Sequence, residues 1–189
     1  MNLVNHFLIA TPNIQSDPYF SNSLVYIVQQ YEKGTVGLVI NKQLNLDTQS
    51  LLEKASIASH AAPIYSHNLA APAMATGPVN PSSIVTLHQG QVNDYYWSAA
   101  VTDQVAITFS SDILASLGTW QEPEHFLVGC GYAFWGPEQL EQEIRYNAWL
   151  NVPAKKEIIF ETPIDARRNA ALDLLGMQPE QLSYLNGHG

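Results

Sequence analysis

One stretch decides how this chain is interpreted: residues 131–150, which read GYAFWGPEQLEQEIRYNAWL. Three aromatic residues lie in its first five positions, and the dipeptide Gly136-Pro137 follows them. Proline has a fixed φ and lacks the N–H that the first helical turn leaves unpaired, so this dipeptide predicts a helix start. The segment therefore predicts an aromatic turn that leads into a helix.

The residues after Pro137 form two stripes at helical spacing. The apolar stripe consists of Leu140, Ile144 and Ala148, and the polar stripe beside it consists of Gln139, Glu143 and Asn147. Two interpretations of the polar stripe stay open. In the first it is the solvated face of an amphipathic helix. In the second it lines a binding site together with the aromatic residues Tyr132 and Trp135.

Length and composition restrict the class of protein. The chain has 189 residues, of which 46% are hydrophobic and 13% charged, so we expect a single globular domain over residues 1–189. The formal net charge is −9, and eight Lys and Arg residues occur without a basic run. Direct binding to nucleic acid or to an anionic membrane is therefore disfavoured, since both depend on clustered positive charge.

The compartment is inferred from the cysteine count and the N-terminus. Cys130 is the only cysteine, so no internal disulfide can form. The first ten residues, MNLVNHFLIA, lack the positive region and cleavage site of a signal peptide and predict a strand instead. No apolar run is long enough to cross a membrane. These features predict a protein of the reducing cytoplasm.

Apolar patterning along the chain predicts strands and helices in mixed order. Strands are expected at residues 6–11, 23–29, 35–40, 73–76, 83–88, 104–109, 125–130 and 157–160, with a hairpin around residues 32–34. Helices are expected after Asp47 or Thr48, at 112–117 and at 165–175, and residues 55–72 are expected to form a loop. This order predicts an α+β or mixed α/β fold with a largely antiparallel sheet.

Several ordered motifs link the chain to a known family. They are HFLIATP at residues 6–12, the DPYF…S…Y pattern at 17–26, GTVGLVINK at 34–42, TGPV at 76–79 and the segment 131–150. On these motifs the chain resembles the YqgE/AlgH family of bacterial proteins over nearly its whole length.

The resemblance implies a fold, a compartment and a label. The implied fold is α+β, with a bifurcated, largely antiparallel sheet that is partly closed into a small barrel and flanked by helices. It also implies a cytosolic protein, of a kind often labelled a transcriptional regulator. No established catalytic residue or cofactor comes with the family, so we expect none here. Where the family usually has an Arg-Trp pair near the C-terminal helix, this chain has Arg167-Arg168.

Polar residues in two places are candidates for a binding site. Asn41 and Lys42 follow a glycine-punctuated strand, where Lys42 could present a cation to a carboxylate or phosphate. The alternative is a solvated strand end. Glu143 is the best candidate for a general base, because residues 132–135 could desolvate its carboxylate. The alternative is an exposed carboxylate without a catalytic partner.

Cysteine and histidine offer little chemistry by their spacing. Cys130 lies in Val-Gly-Cys-Gly, which differs from the GxSxG nucleophile elbow, and an inert buried thiol is the other interpretation. The six histidines show no metal-binding spacing, so no metal site is expected.

The sequence leaves two functions open and disfavours a third. The first is a non-enzymatic regulatory module that binds a small molecule or a protein through the region of residues 131–150. The second is an enzyme of unassigned reaction type that acts on a small substrate. The third, a DNA-binding repressor, conflicts with the net negative charge.

Overall fold

The computed structural model describes residues 1–57, 67–90 and 94–186, without the side chains of His67 and of residues 183–186. The strands are β1 (His6–Ala10), β2 (Leu24–Tyr31), β3 (Gly34–Val39), β4 (Gln43–Asp47), β5 (Pro72–Ala75), β6 (Val79–Gln89), β7 (Ser98–Ala100), β8 (Val105–Thr108), β9 (Phe126–Trp135) and β10 (Trp149–Pro153). The α-helices are α1 (Thr48–Lys54), α2 (Ser111–Ser116), α3 (Gln139–Arg145), α4 (Lys156–Phe160) and α5 (Arg167–Asp173). Short 3₁₀ segments occur at Pro12–Ile14, His67–Ala70 and Pro179–Asn186.

The strands confirm the expected α+β class with a bifurcated, largely antiparallel sheet. The pairs β1–β10, β1–β2, β2–β3, β3–β9, β4–β5, β6–β8 and β7–β8 are antiparallel, and β5–β9 is parallel. The sheet branches at β9, which pairs with β5 through Gly129 and Cys130 and with β3 through residues 133–135. The described chain divides into two compact units, so the single domain over residues 1–189 stays a prediction.

The first unit comprises Met1–Lys42, Thr76–Val79 and the chain from Tyr132 onward. Its strands follow the order β10, β1, β2, β3 and the end of β9. The aliphatic side chains of β1 to β3 are buried, as their β-branched sequence predicts, whereas Tyr31 at the end of β2 is exposed. Its core also contains Trp135, Leu140, Ala148 and Trp149, so the apolar side of residues 132–150 contributes to the packed interior of this unit.

The second unit comprises Gln43–Ala75 and Asn80–Gly131. Four of its strands follow the order β9, β6, β8 and β7 in the sheet, and β4 pairs with β5. Leu52 of α1 packs with Ile113 and Leu114 of α2 and with Val128 of β9. The predicted cap of α1 is confirmed, because the Asp47 side chain accepts a hydrogen bond of 2.7 Å from the Ser50 N–H.

Two predicted elements are wrong, and tertiary packing explains both. Residues 157–160 were expected to form a strand, yet Lys156–Phe160 form helix α4, whose Ile158 and Ile159 are buried and which packs against α5. Burial of one helical face here overrides the strand preference of adjacent isoleucines. The aromatic residues before Gly136 were expected to form a turn, yet β9 continues through them to Trp135, because β3 pairs with this segment.

Other boundaries also differ from the sequence expectation. Helix α3 begins at Gln139, so Pro137 lies in a turn closed by a hydrogen bond of 3.2 Å from the Gln139 N–H to the Gly136 carbonyl. Strands β4, β7 and β10 were not predicted, since each is short or begins directly after another element. The predicted loop at 55–72 ends at β5, and its residues 58–66 lie outside the described part of the chain.

Candidate functional site

The Glu143 carboxylate is the centre of the region that the sequence singled out. Its Oε2 accepts hydrogen bonds from the indole N–H groups of Trp135, at 2.9 Å, and of Trp149, at 2.8 Å. Its Oε1 accepts a hydrogen bond of 2.9 Å from the Gln139 amide. Both indoles are 2% exposed, so the carboxylate satisfies two buried donors that have no access to water.

The elements around Glu143 place these donors at one end of the first unit. Trp135 is the last residue of β9 and Trp149 is the first of β10, with α3 between them. Asn147 ends the helix in the left-handed conformation, with φ of 54°. The Ala148 N–H bonds to the Glu143 carbonyl at 2.9 Å and the Asn147 N–H to the Ile144 carbonyl at 3.0 Å. This Schellman motif returns the chain directly into β10 and so brings Trp149 back to Glu143.

An aromatic side chain from a distant loop completes the cluster. The Phe20 ring stacks on Trp135 with centroids 5.8 Å apart, and it meets Trp149 edge to face at 5.6 Å. Tyr19 contacts Phe20 edge to face at 5.5 Å. Neither residue was a candidate site residue in the sequence analysis, where both belong only to the motif at residues 17–26. The one available signal was a pair of adjacent aromatic residues in a loop, which is more hydrophobic than a solvated turn requires.

Asn41 and Lys42 hold this same loop from its other side. The Asn41 Oδ1 accepts a hydrogen bond of 2.7 Å from the Leu24 N–H, and its Nδ2 donates one of 2.9 Å to the Asn22 carbonyl. The Lys42 ammonium donates to the Tyr19 carbonyl and lies 5.8 Å from the Tyr19 ring centroid. Burial lowers the pKa of Lys42, although the negative charge of Asp17 opposes that effect.

The seven candidate site residues are therefore brought together in part. Trp135, Gln139 and Glu143 form one hydrogen-bonded group, and Asn41 and Lys42 form a second group that holds the loop in which Phe20 contacts the first. Asn147 presents its backbone carbonyl to Thr11, and its side chain is exposed. Tyr132 is half-buried beside Gly77, where a Cβ atom would lie 1.8 Å from the Tyr132 carbonyl carbon.

A small cavity lies beside this loop, within the first unit. Its volume is about 260 Å³, and it is lined by Thr11, Pro12, Gln15, Asn22, Arg168, Pro179, Glu180 and Leu182. Arg168 donates a hydrogen bond of 2.8 Å from Nη2 to the Ala10 carbonyl, and burial lowers the pKa of its guanidinium. Arg168 stands where the family pattern has a tryptophan. This departure from the pattern was the signal in the sequence that could have drawn attention to Arg168 as a lining residue of the cavity.

The Cys130 thiol and the possible metal ligands were the remaining candidates for a reactive centre among the residues that the structure describes. Burial raises the pKa of the Cys130 thiol, which is the opposite of what an activated nucleophile requires. Within the described ranges, no group of three or more His, Cys, Asp or Glu side chains is arranged to hold a metal ion. None of the helices in those ranges has the length and apolar character of a membrane span.

Comparisons with known proteins agree on one family. A family model described as AlgH-like (DUF179) matches residues 7–180. A UPF0301 protein of Vibrio atlanticus is 41% identical over 188 residues, with 100% of both chains covered. A UPF0301 protein of Shewanella woodyi is 40% identical over 189 residues, covering 99% of this chain and 98% of that protein.

Solved structures show the same similarity in three dimensions. The solution structure of the AlgH protein from Pseudomonas aeruginosa matches with a TM-score of 0.78 at 33% identity, covering 99% of this chain and 94% of that one. A crystal structure of a protein from Corynebacterium diphtheriae matches with a TM-score of 0.71 at 17% identity, covering 100% of this chain and 93% of that one. The second likeness is one of fold alone.

Proposed function

Since this chain belongs to the AlgH-like family, we propose that it is a non-enzymatic binding module of the cytoplasm that regulates through what it binds. Its effect on transcription is indirect and needs no contact with DNA. The observation that carries the proposal is the hydrogen bonding of the Glu143 carboxylate, which the sequence made the best candidate for a catalytic base.

The Glu143 carboxylate is occupied by structural hydrogen bonds. A carboxylate has about four acceptor positions, and Trp135, Trp149 and Gln139 use three of them. A general base needs a lone pair directed at the proton that it removes. Through its hydrogen bonds with the two indoles and the amide, Glu143 instead links helix α3 to strands β9 and β10.

The other polar candidates support the same conclusion. Asn41 uses its amide oxygen and nitrogen on the backbone of residues 22–24, and Lys42 directs its ammonium to the Tyr19 carbonyl. These contacts order the loop rather than present groups to a substrate. The ordered loop contributes Asn22 to the lining of the cavity that Arg168 shares. That cavity is the place where we expect a small ligand to bind, because a rigid wall lowers the cost of binding.

The charge distribution supports an indirect effect on transcription. The chain carries a formal net charge of −9. Two of its eight basic residues, Arg167 and Arg168, direct guanidinium nitrogens to the backbone carbonyls of Ile40 and Ala10. At least one nitrogen of each guanidinium is therefore used within the protein, and the eight basic residues form no run of the kind that favours phosphate binding.

A turnover experiment separates a binding module from an enzyme. The purified chain would be incubated with a large molar excess of small-molecule extract from its own cells, and every mass followed by mass spectrometry. We expect one compound to be retained at one equivalent per chain and no compound to be consumed beyond that amount. The Arg168→Leu variant should bind the retained compound more weakly. Consumption over many turnovers that is lost in Glu143→Gln and kept in Glu141→Gln would establish the enzyme instead. Glu141 is the matched control because it lies on the same helix.

A further inference from the structure

Among the residues of the second unit that the structure describes, four large aromatic side chains are exposed, and we call them the aromatic surface. They are Tyr96, Trp97, Phe109 and Trp120, which are 77%, 84%, 38% and 76% exposed. Exposing two tryptophans to this extent is costly, since each could bury an area of about 150–250 Å². Exposed aromatic residues close together are typical of a protein interaction surface.

Backbone and side-chain hydrogen bonds bring these residues to one end of the second unit. The register Ser98↔Thr108 between β7 and β8 places Trp97 opposite Phe109, and the Phe109 N–H donates to the Trp97 carbonyl at 3.3 Å. The Tyr95 hydroxyl donates to the Gln121 carbonyl at 3.2 Å, which ties the turn beside Trp120 to the chain beside Tyr96.

The segment that carries Tyr96 and Trp97 is held in an unusual conformation. Trp97 has φ of 52°, a region that bulky residues rarely adopt. The Asp112 carboxylate accepts a hydrogen bond of 2.7 Å from the Tyr96 N–H, and the Ser110 hydroxyl donates to the Tyr96 carbonyl. The indole of Trp97 is therefore presented to solvent from a fixed backbone, so binding requires little further ordering of this segment.

The stretch of sequence that carries the aromatic surface is acidic. No Lys or Arg occurs between Lys54 and Arg145, whereas the residues between positions 94 and 124 include five acids. They are Asp94, Asp103, Asp112, Glu122 and Glu124. Asp94 and Glu124, which lie two residues from Tyr96 and four residues from Trp120, are exposed, whereas Asp103 lies in the turn at the far end of the β7–β8 hairpin. Aromatic faces flanked by carboxylates attract guanidinium and ammonium groups, through cation–π contact and through charge.

We propose that the aromatic surface binds a basic peptide segment of a protein partner, with Arg or Lys side chains placed over Trp97 and Trp120. This extends the proposed binding role to a surface outside the cavity of the first unit. A second copy of this chain would bring like charges together, and an anionic membrane would be repelled by the same carboxylates. The charge therefore favours a cationic occupant.

Calorimetric titration with an end-blocked peptide of four Arg-Gly-Gly repeats tests the proposal. We expect the peptide to bind, and we expect salt to weaken binding because part of the attraction is between charges. Trp97→Asn and Trp120→Ser should each weaken binding about two- to five-fold, the range for an exposed cation–π contact. Asn is used at position 97 because it tolerates positive φ.

The matched control is Tyr146→Ser, which removes an aromatic side chain that is 78% exposed in the first unit. We expect this variant to bind the arginine peptide as the wild type does. A peptide in which glutamate replaces arginine should not bind. Circular dichroism would verify that each variant is folded.

Two results would overturn the proposal. One is the absence of binding by the arginine peptide at low salt, and the other is equal binding by the wild type and the Trp97→Asn, Trp120→Ser double variant. The second result would show attraction to acidic charge alone. Neither outcome affects the mass retained in the cavity, which depends on Arg168, so this proposal and the proposed function fail separately.

Discussion

Replacing Glu143 with leucine tests whether this carboxylate is a structural centre. The change removes the acceptor for the Trp135 and Trp149 indoles, both of which are 2% exposed. A buried donor without a partner costs about 1–3 kcal/mol, so two would cost about 2–6 kcal/mol. Glu143 is itself half-buried, and water can reach part of the vacated volume. We therefore expect the free energy of unfolding to fall by about 2–4 kcal/mol.

The assay is urea denaturation followed by fluorescence, with Glu141→Leu as the control. Glu141 lies on the same helix and receives only a long hydrogen bond of 3.4 Å from the Gln30 amide. The control should stay within about 0.5 kcal/mol of the wild type. Glu143→Gln keeps one acceptor oxygen and loses the charge, so its free energy of unfolding should lie between those of the wild type and Glu143→Leu.

A double-mutant cycle assigns the loss to the indole contact. Trp135→Phe removes the N–H donor. It should therefore lower the free energy of unfolding less when residue 143 is already leucine than when it is glutamate. We expect a coupling energy of about 1 kcal/mol or more. Additive effects, or equal losses in Glu143→Leu and Glu141→Leu, would refute the reasoning and reopen a chemical role for this carboxylate.

Three further predictions concern backbone clash, protonation and thiol reactivity. Gly77→Ala places a Cβ 1.8 Å from the Tyr132 carbonyl carbon, so it should lower the free energy of unfolding by about 3 kcal/mol or more. The control Gly136→Ala, whose Cβ would have its nearest neighbour at 3.8 Å, should be as stable as the wild type, and equal melting temperatures of the two variants would contradict the prediction. Burial lowers the pKa of His88 below its ordinary 6.5, so the unfolded state binds the proton more tightly and the free energy of unfolding should fall as pH drops below about 6.5. His88→Gln should reduce this dependence of the free energy of unfolding on pH, measured by urea denaturation at several pH values. An unchanged dependence would count against the prediction. Burial raises the pKa of Cys130, so iodoacetamide should modify the native protein more slowly than the unfolded chain, and a faster native rate by mass spectrometry would contradict the inert-thiol interpretation.

Local patterns predicted the elements whose causes are local. The β2–β3 hairpin and the Asp47 cap of α1 depend on residues within a few positions of each other, and the structure has both. Residues 157–160 failed because a short isoleucine-containing stretch suits either a strand or a helix, and only packing against α5 selects the helix.

The sequence by itself determined the family, the α+β class and the net negative charge, and it singled out residues 131–150 as a candidate site. Only the tertiary structure decided what Glu143 contacts, because its charge and spacing are equally those of a base or of a structural acceptor. Its partners come from the ends of β9 and β10, and Phe20 reaches the same cluster from a loop more than a hundred residues away in sequence. Helical and strand periodicity describe contacts within one element, whereas strand register and the return of the chain after α3 bring such distant residues together.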